Sequence, residues 1–490
     1  MPESLTLDRQ SSTPLNKQIV QHIRHRIANG QLPVGTRLPT VRELASGLGT
    51  TTLTVHSAYA ELSADGWVEP IVGRGTFVKA PARPADVIAE LALDPSPDGV
   101  LTDETRVQRV LELRSLASAD PDPAAYPTAA FAEVLQEAAQ DPSLLAYSPA
   151  EGDPRLRTVL VEHLRERGIV STPDQLLVTR GASHALALLT RALTQPGDSV
   201  LVASPTYLGF LNTLQANAVE PLGVPFDAEG PDLEALERLI GQHRPRFFYT
   251  VPTYHNPTGV SLAPARREAL LELARVHGLL IVEDDVYGRL ALQGDAPPAL
   301  RAGGDADLVV YVDSFSKVLM PSLRLGYVLA PPPLRERLRF LRQAEDLCGS
   351  AFTERALALF LERGHLRTHV RRVLPRLRAK RGAMLEALER FMPSGVSWSV
   401  PEGGFNLWVT LPAGGRFGDL YPAALRRGIA FAPGSAFLAA PAGNDAFRLS
   451  FGMLSTEQIQ DGVEILAALI EERLDRTAGP GTLPRVGGWP

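Results

Sequence analysis

Apolar residues along the chain follow two different periods, and the change from one to the other divides it. Near the N-terminus the spacing is helical: Ile19, Ile23, Ile27 and Ala28 recur on one face. Asn29-Gly30 is a natural stop for that helix. After a turn through Leu32-Pro33-Val34-Gly35, Thr40 followed by Glu43 forms a capping-box pattern that opens a second, short helix. Gly47-Leu48-Gly49 supplies the next turn. A third helix is expected from Thr51 to Leu62, with Val55, Ala58, Tyr59 and Leu62 inward. Gly66 to Pro70 and Gly73 to Val78 then predict a two-stranded ribbon with a glycine-rich tip.

Farther along, the apolar residues come in short unbroken runs, the pattern of buried strands. Five of these runs end on chemically pointed residues. Gln175 to Val178 leads to Gly181-Ala182-Ser183, and Val200 to Val202 leads to Tyr207. Phe247 to Val251 leads to His255-Asn256-Pro257-Thr258-Gly259, and Leu279 to Val282 to Asp284 and Tyr287. Leu308 to Val312 leads to Ser314-Phe315-Ser316-Lys317 and then Arg324. Open α/β sheets bind ligands at the carboxyl ends of their strands. Together these ends supply an amine, a carboxylate, phenols, an amide, hydroxyls and a guanidinium. That set suits a phosphorylated aromatic aldehyde held covalently by a lysine.

Taken singly, each residue has an ordinary reading. A lysine after a strand is usually solvated, His-Asn-Pro-Thr-Gly is a common turn, and Asp284 could cap a helix. Arg448, taken alone, reads as a surface ion-pair partner. Order and joint occurrence from Tyr147 to Arg448 argue for the chemical reading.

On these motifs the larger part of the chain resembles the fold-type I pyridoxal-phosphate aminotransferases. The first eighty residues resemble the GntR-type winged helix, and the combination resembles the MocR subfamily of GntR regulators. The resemblance implies an α/β fold class: an N-terminal winged helix-turn-helix, then a large domain with a mostly parallel sheet and a smaller α+β domain. It implies pyridoxal 5'-phosphate as cofactor, with Lys317 as the catalytic residue that carries it. Asp284 would face the pyridine nitrogen, because the ring draws electrons only while that nitrogen is protonated. Tyr287 and Asn256 would bond the ring hydroxyl, and Tyr207 would stack on the ring. Backbone N–H groups of Ala182 and Ser183 open a helix, a natural phosphate site; Ser314 and Arg324 would join them. Tyr147 would reach the phosphate of a partner subunit. Arg448, with Asn256, would grip the α-carboxylate of a substrate or effector. Ala119 stands where many relatives carry glycine, which adds a methyl group beside the ligand.

For the head, the resemblance places the third helix in the DNA major groove. Arg42, Thr40, Thr51, Thr52, Thr54, His56 and Arg74 are the expected DNA contacts, with Arg42 and Arg74 on phosphates or groove edges. Many relatives have an arginine where Thr52 stands.

Composition sets bounds on this picture. The 490 residues carry a net charge of −6, while residues 1–80 hold eight basic against six acidic residues. Affinity for nucleic acid must therefore be local to the head. The lone cysteine, Cys348, excludes an intramolecular disulfide and suits a reducing cytoplasm. The chain shows no apolar run long enough for a membrane span and no signal-like start. The expected boundaries are a winged helix over 12–80, a linker over 81–115, an aminotransferase-like domain over 116–475 with a small lobe from about 345, and a disordered tail over 476–490. His365 and His369 have a zinc-like spacing but lack a third ligand, so no metal is expected and both are read as solvated. Arg367, Arg371, Arg372, Arg376, Arg378, Lys380 and Arg381 form a basic run, expected to be a solvated face.

The sequence thus reads as a homodimeric regulator that binds operator DNA and senses pyridoxal phosphate or an amino compound. The alternative is an active aminotransferase, converting amino acid to 2-oxo acid, with an appended winged helix. A plain DNA-binding protein whose large domain only dimerises is disfavoured by the intact cofactor set.

Overall fold

The computed structural model describes residues 7–79, except 10, 12, 29, 30 and 72, and residues 114–477, except 304–306, 414–416 and 441–444. The chain divides into two compact units, Met1–Pro97 and Asp98–Pro490. Most of the expected linker, the expected stop at Asn29-Gly30 and nearly all of the expected tail lie outside the described residues.

The first unit is built on α1 (Leu15–Ala28), α2 (Val41–Gly47) and α3 (Thr52–Ala64). Ile19, Val20, Ile23 and Ile27 of α1 pack with Val55, Ala58, Tyr59 and Leu62 of α3, the helical spacing read in the sequence. Thr40 and Glu43 form the reciprocal capping box that starts α2. The Tyr59 hydroxyl donates to the Pro39 carbonyl at 2.9 Å, which ties α3 to the entry of α2. β1 (Val68–Ile71) and β2 (Gly75–Val78) pair antiparallel with Val68 opposite Val78, and this is the wing.

The second unit opens with β3 (Arg114–Ser115) and continues through β4 (Leu176–Thr179), β5 (Ser199–Ser204), β6 (Glu220–Pro225) and β7 (Phe248–Thr250). β8 (Ile281–Asp284), β9 (Val309–Ser314) and β10 (Gly326–Leu329) follow. Seven of these form one sheet in the order β4-β10-β9-β8-β7-β5-β6. β10 runs antiparallel to both neighbours, so all the others point the same way. Their carboxyl ends consequently converge on one edge, and helices cover both faces. Strands β8 and β9 run two residues beyond the apolar runs, so that Asp284 and Ser314 are their last residues.

A second, four-stranded sheet has the order β11-β12-β15-β14. Its strands are β11 (Ser397–Trp398), β12 (Asn406–Thr410), β14 (Ala432–Pro433) and β15 (Ala446–Ser450). β13 (Ile429–Ala430) pairs in parallel with β3. Two long helices, His365–Phe391 and Thr456–Thr477, pack along each other.

The basic run on the first of these is a solvated face only in part: Arg367, Arg371, Arg372, Arg376 and Arg378 are exposed, whereas Lys380 and Arg381 turn inward. Lys380 is buried and donates to Asp122 Oδ2 at 2.9 Å and to the carbonyls of Gly452 and Met453. Arg372, Arg378 and Arg381 donate to the carbonyls of Ala125, Leu292 and Pro401. Guanidinium and ammonium groups here satisfy chain carbonyls that approach the helix, which an ordinary surface would leave to water. His369 is likewise buried, not solvated, and burial together with Arg372 lowers its pKa to about 4. Among the described residues there is no cluster suited to a metal ion, and no helix long and apolar enough to cross a membrane.

Candidate cofactor and DNA-contact sites

The strand ends of the large sheet open into a cavity of about 360 Å³. Lys317, Asp284, Tyr287, Asn256, Tyr207 and Arg448 line it, and so do Ala182, Ser183, Ser314 and Arg324. Tyr147 does not; it is 85% exposed and lies off the cavity of its own chain.

Three consecutive acids at the end of β8 have three different fates. Glu283 accepts from the backbone N–H groups of Leu300 and Arg301 at 2.8 and 2.9 Å, pinning the start of a short helix. Asp285 is held by Arg167 at 2.7 and 3.1 Å and by the Tyr311 hydroxyl at 2.8 Å. Only Asp284 faces the cavity. Its Oδ2 accepts from the buried Tyr249 hydroxyl at 2.9 Å, while its Oδ1 is buried without a hydrogen-bond partner. Burial pushes its pKa up to about 7, against the hydrogen bond from Tyr249 and with help from nearby Asp313. An unpartnered buried carboxylate oxygen is costly. A donor reaching in from the cavity would satisfy it.

Across the cavity, Lys317 Nζ donates to the Ala119 carbonyl at 2.8 Å and to Asp120 Oδ1 at 2.9 Å. Burial opposes its charge, but Tyr287 and Asp120 outweigh burial and hold its pKa above the ordinary value. Asp120 shows the reciprocal effect: burial would raise its pKa, yet Lys317, Ser118 and Arg448 hold it below the usual carboxylate range. Tyr287 is buried edge-on to Phe405, and burial raises its pKa.

The start of the helix Ala182–Leu193 forms a cradle on the cavity wall with Ser314 and Arg324. Gly181 caps that helix with φ of 87°, and a Cβ there would stand 3.1 Å from Arg324 Nη2. The backbone conformation favours glycine there, and a side chain would press on the end of the Arg324 guanidinium. Arg324 adopts the left-handed conformation and donates to the Arg180 carbonyl at 3.0 Å, which folds its guanidinium back over the helix start. The Ser314 hydroxyl donates to the Leu325 carbonyl at 3.1 Å and also touches Ser316 Oγ. Tyr207 precedes the helix Leu208–Ala216, and its ring lies where the Cβ of any residue at 209 would be, 2.4 Å away.

Arg448, on β15, is buried against Phe437, with its guanidinium 5.0 Å from the ring centre. It donates to Asn256 Oδ1 at 2.9 Å and to the Ala117 carbonyl. The second sheet thereby places its guanidinium over the strand ends of the first. Sequence reading missed Asp120, Ser118 and Tyr249. Asp120 was visible beside Ala119, but nothing in its neighbours pointed it at Lys317. Tyr249 looked like strand interior.

On the separate first unit, Arg42, Thr52 and His56 are exposed on α2 and α3, and Arg74 is exposed at the wing tip. Thr40 is occupied in its capping box, and Thr51 caps α3 by accepting from Thr54 N–H at 3.2 Å. The Thr51 and Thr54 hydroxyls also meet at 2.9 Å. These three hydroxyls therefore serve the helix ends first. Leu53, unnamed in the sequence reading, is 77% exposed beside Thr52; it falls outside the inward spacing of α3, the one signal that would have found it.

Comparison with known proteins gives matches for both units. Residues 115–466 match the family described as aminotransferase class I and II, and residues 15–78 match bacterial regulatory proteins of the gntR family. The uncharacterized HTH-type transcriptional regulator YdfD of Bacillus subtilis is 30% identical, over 94% of this chain and 98% of its own. The probable rhizopine catabolism regulatory protein MocR of Rhizobium meliloti is 28% identical, over 94% and 95%. Among solved structures, LysN, the α-aminoadipate aminotransferase of Thermus thermophilus complexed with N-(5'-phosphopyridoxyl)-L-leucine, superposes with a TM-score of 0.70. It is 33% identical, covering 76% of this chain and 95% of its own.

Proposed function

The chain belongs to the aminotransferase class I and II family and carries a GntR-type DNA-binding head, and on that premise we propose that it is a MocR-type transcriptional regulator whose aminotransferase-like unit senses pyridoxal phosphate or an amino compound. The observation that carries the sensing role is the cavity, where Lys317, the unpartnered Asp284 Oδ1 and the Gly181–Arg324 cradle line one space. Amine, carboxylate and phosphate cradle match the three reactive parts of pyridoxal 5'-phosphate, so the residues fit the cofactor of the family. When bound, that cofactor supplies an aldehyde for amines and a ring that draws electrons from the carbon beside the amine.

In this reading Lys317 holds the cofactor and Asp284 Oδ1 keeps a proton on its ring nitrogen. Tyr287 and Asn256 hold the ring hydroxyl, and Tyr207 covers the ring face. The backbone of Ala182 and Ser183, with Ser314 and Arg324, takes the phosphate. Arg448 fixes a ligand carboxylate, already oriented by Asn256. The exposed position of Tyr147 supports its service to a second subunit, and a two-fold dimer suits paired operator half-sites. Arg42, Arg74 and the exposed start of α3 face the DNA, assisted by Thr40, Thr51 and Thr54 as capping residues. A regulator of chromosomal DNA works where that DNA is, in the cytoplasm.

Sensing needs only that a ligand bind one arrangement of the protein better than another. The test is operator affinity, on a fragment selected from a random DNA pool, with and without pyridoxal phosphate and a panel of amino acids. Wild-type affinity should change by tenfold or more, and Lys317→Ala should remove the response while the borohydride-stable adduct at position 317 disappears. The intact Lys317, Asp284 and Arg448 favour one second reading, a working aminotransferase with an appended head. Fast formation of 2-oxo acid together with ligand-insensitive DNA binding would establish that reading instead.

A further inference from the structure

We infer that the first unit reads its operator through a thymine 5-methyl group, and that Leu53 is the side chain that touches it. This rests on the reading above only in that the unit binds DNA with α3 in the major groove.

α3, Thr52–Ala64, contains no lysine, arginine, asparagine or glutamine. Those are the side chains that pair bidentately with guanine or adenine across the major groove. Its one acid, Glu61, could accept from cytosine but is held by Lys17 Nζ at 2.8 Å. The hydroxyls at the start of the helix are engaged with one another. Thr51 accepts from the Thr54 N–H at 3.2 Å, and the two hydroxyl oxygens lie 2.9 Å apart. Farther along, Ser57 Oγ accepts from the Asn16 side chain at 3.4 Å.

The outward face is thus left to Leu53, His56 and Ala60, which recur at helical spacing away from the buried Val55, Tyr59 and Leu62. Leu53 is 77% exposed, the most exposed large apolar side chain among the described residues of this unit. It stands at the second position of α3, the end that a helix-turn-helix presents to base edges. Of the three it alone has a branched apolar end. The thymine methyl is the apolar group on the major-groove edge, and packing the two together removes both from water. His56 and Thr52 remain free for a hydrogen bond beside it.

The cations of the unit lie on other elements. Arg42 is exposed on α2 and Arg74 at the wing tip, where both can meet phosphates. Arg9 donates to the Gly49 carbonyl at 2.7 Å. Positioning by charge and readout by shape and methyl contact are therefore divided between different elements.

The experiment uses the full-length protein and an operator selected from a random DNA pool. Each dT is replaced in turn by dU, which deletes the methyl and keeps every hydrogen-bonding group. In wild type, replacement at one or two dT positions should lower affinity about fourfold, the worth of one buried methyl. Leu53→Ala should bind the dT operator more weakly and show no further loss with dU at those positions. Leu53→Met, which keeps an apolar end, should keep the loss. The slope of log affinity against log salt should be unchanged in Leu53→Ala, since no phosphate contact is removed. A wild type indifferent to dU at every position, or a Leu53→Ala variant with the full dU loss, would overturn the inference while leaving DNA binding intact. If the full-length protein selects no sequence from the pool, the parent reading falls and this inference with it.

Discussion

At the scale of single residues, Asp284 carries the sharpest physical consequence. In the unfolded chain its carboxyl ionises near 3.8, whereas in the fold burial holds its proton until about 7. The folded state therefore binds the extra proton between those values. The contribution of Asp284 to stability is greatest below about pH 4, falls as pH rises to 7, and stays low above it. The gap between the two ionisations corresponds to an upper bound of about 4 kcal/mol. Stripped of cofactor, Asp284→Asn should melt at a higher temperature than wild type above pH 7, and the two curves should converge toward pH 4. Added pyridoxal phosphate should reverse that order, since its ring nitrogen offers the donor that Oδ1 lacks. Melting curves that stay parallel across this range would show that Asp284 is not the burdened carboxylate.

At the scale of elements, function sits where strands hand over to helices. β5 ends at Ser204, and Tyr207 folds its ring back over residue 209 before the helix Leu208–Ala216 proceeds. Gly209→Ala would place a methyl group 2.4 Å from that ring, closer than side chains tolerate, and the ring is the part free to move. Cofactor retention should weaken by about tenfold or more, because stacking on an aromatic ring is worth on the order of 1.4 kcal/mol. Circular dichroism should be unchanged; a variant that retains cofactor as wild type does would mean that the Tyr207 ring has no part in the grip. The helix His365–Phe391 teaches the opposite lesson about elements. Its charges were legible as a run, but whether a charge is solvated depends on which carbonyls arrive beside it.

At the scale of the whole molecule, charge is divided unevenly. The chain is net negative, and the small positive excess lies in residues 1–80. DNA affinity must then come from a few placed cations, and its salt dependence should be shallow. Arg42→Ala and Arg74→Ala should each lower the slope of log affinity against log salt by about one, with loss of operator affinity. Slopes unchanged in both variants would place the DNA contact elsewhere. A ligand-dependent difference of about 2 kcal/mol between two arrangements would change operator affinity some thirtyfold, within the usual range of coupling between sites. Neither unit alone can show it, so the measurement belongs to the full chain.

Local pattern was enough for the capping box of Thr40 and Glu43, the inward face of α3 and the five strands that end at the cavity. Each of these depends on residues a few positions apart, where steric and hydrogen-bonding rules act directly. The set of Lys317, Asp284, Tyr207 and Arg324 was legible because each ends or follows a strand, and parallel strands put their ends on one edge. β6 and β10 were not read, and β10 runs against the rest of the sheet, so its direction had no local signal. Other decisions needed distant chain segments to meet. Asp120 finds Lys317 across 197 positions, and Lys380 finds Asp122 across 258. Which oxygen of Asp284 stays unpartnered depends on Tyr249 arriving from a neighbouring strand. Sequence spells out which chemistry is present; tertiary packing decides which charge faces which, because only the folded chain fixes distance and shuts out water.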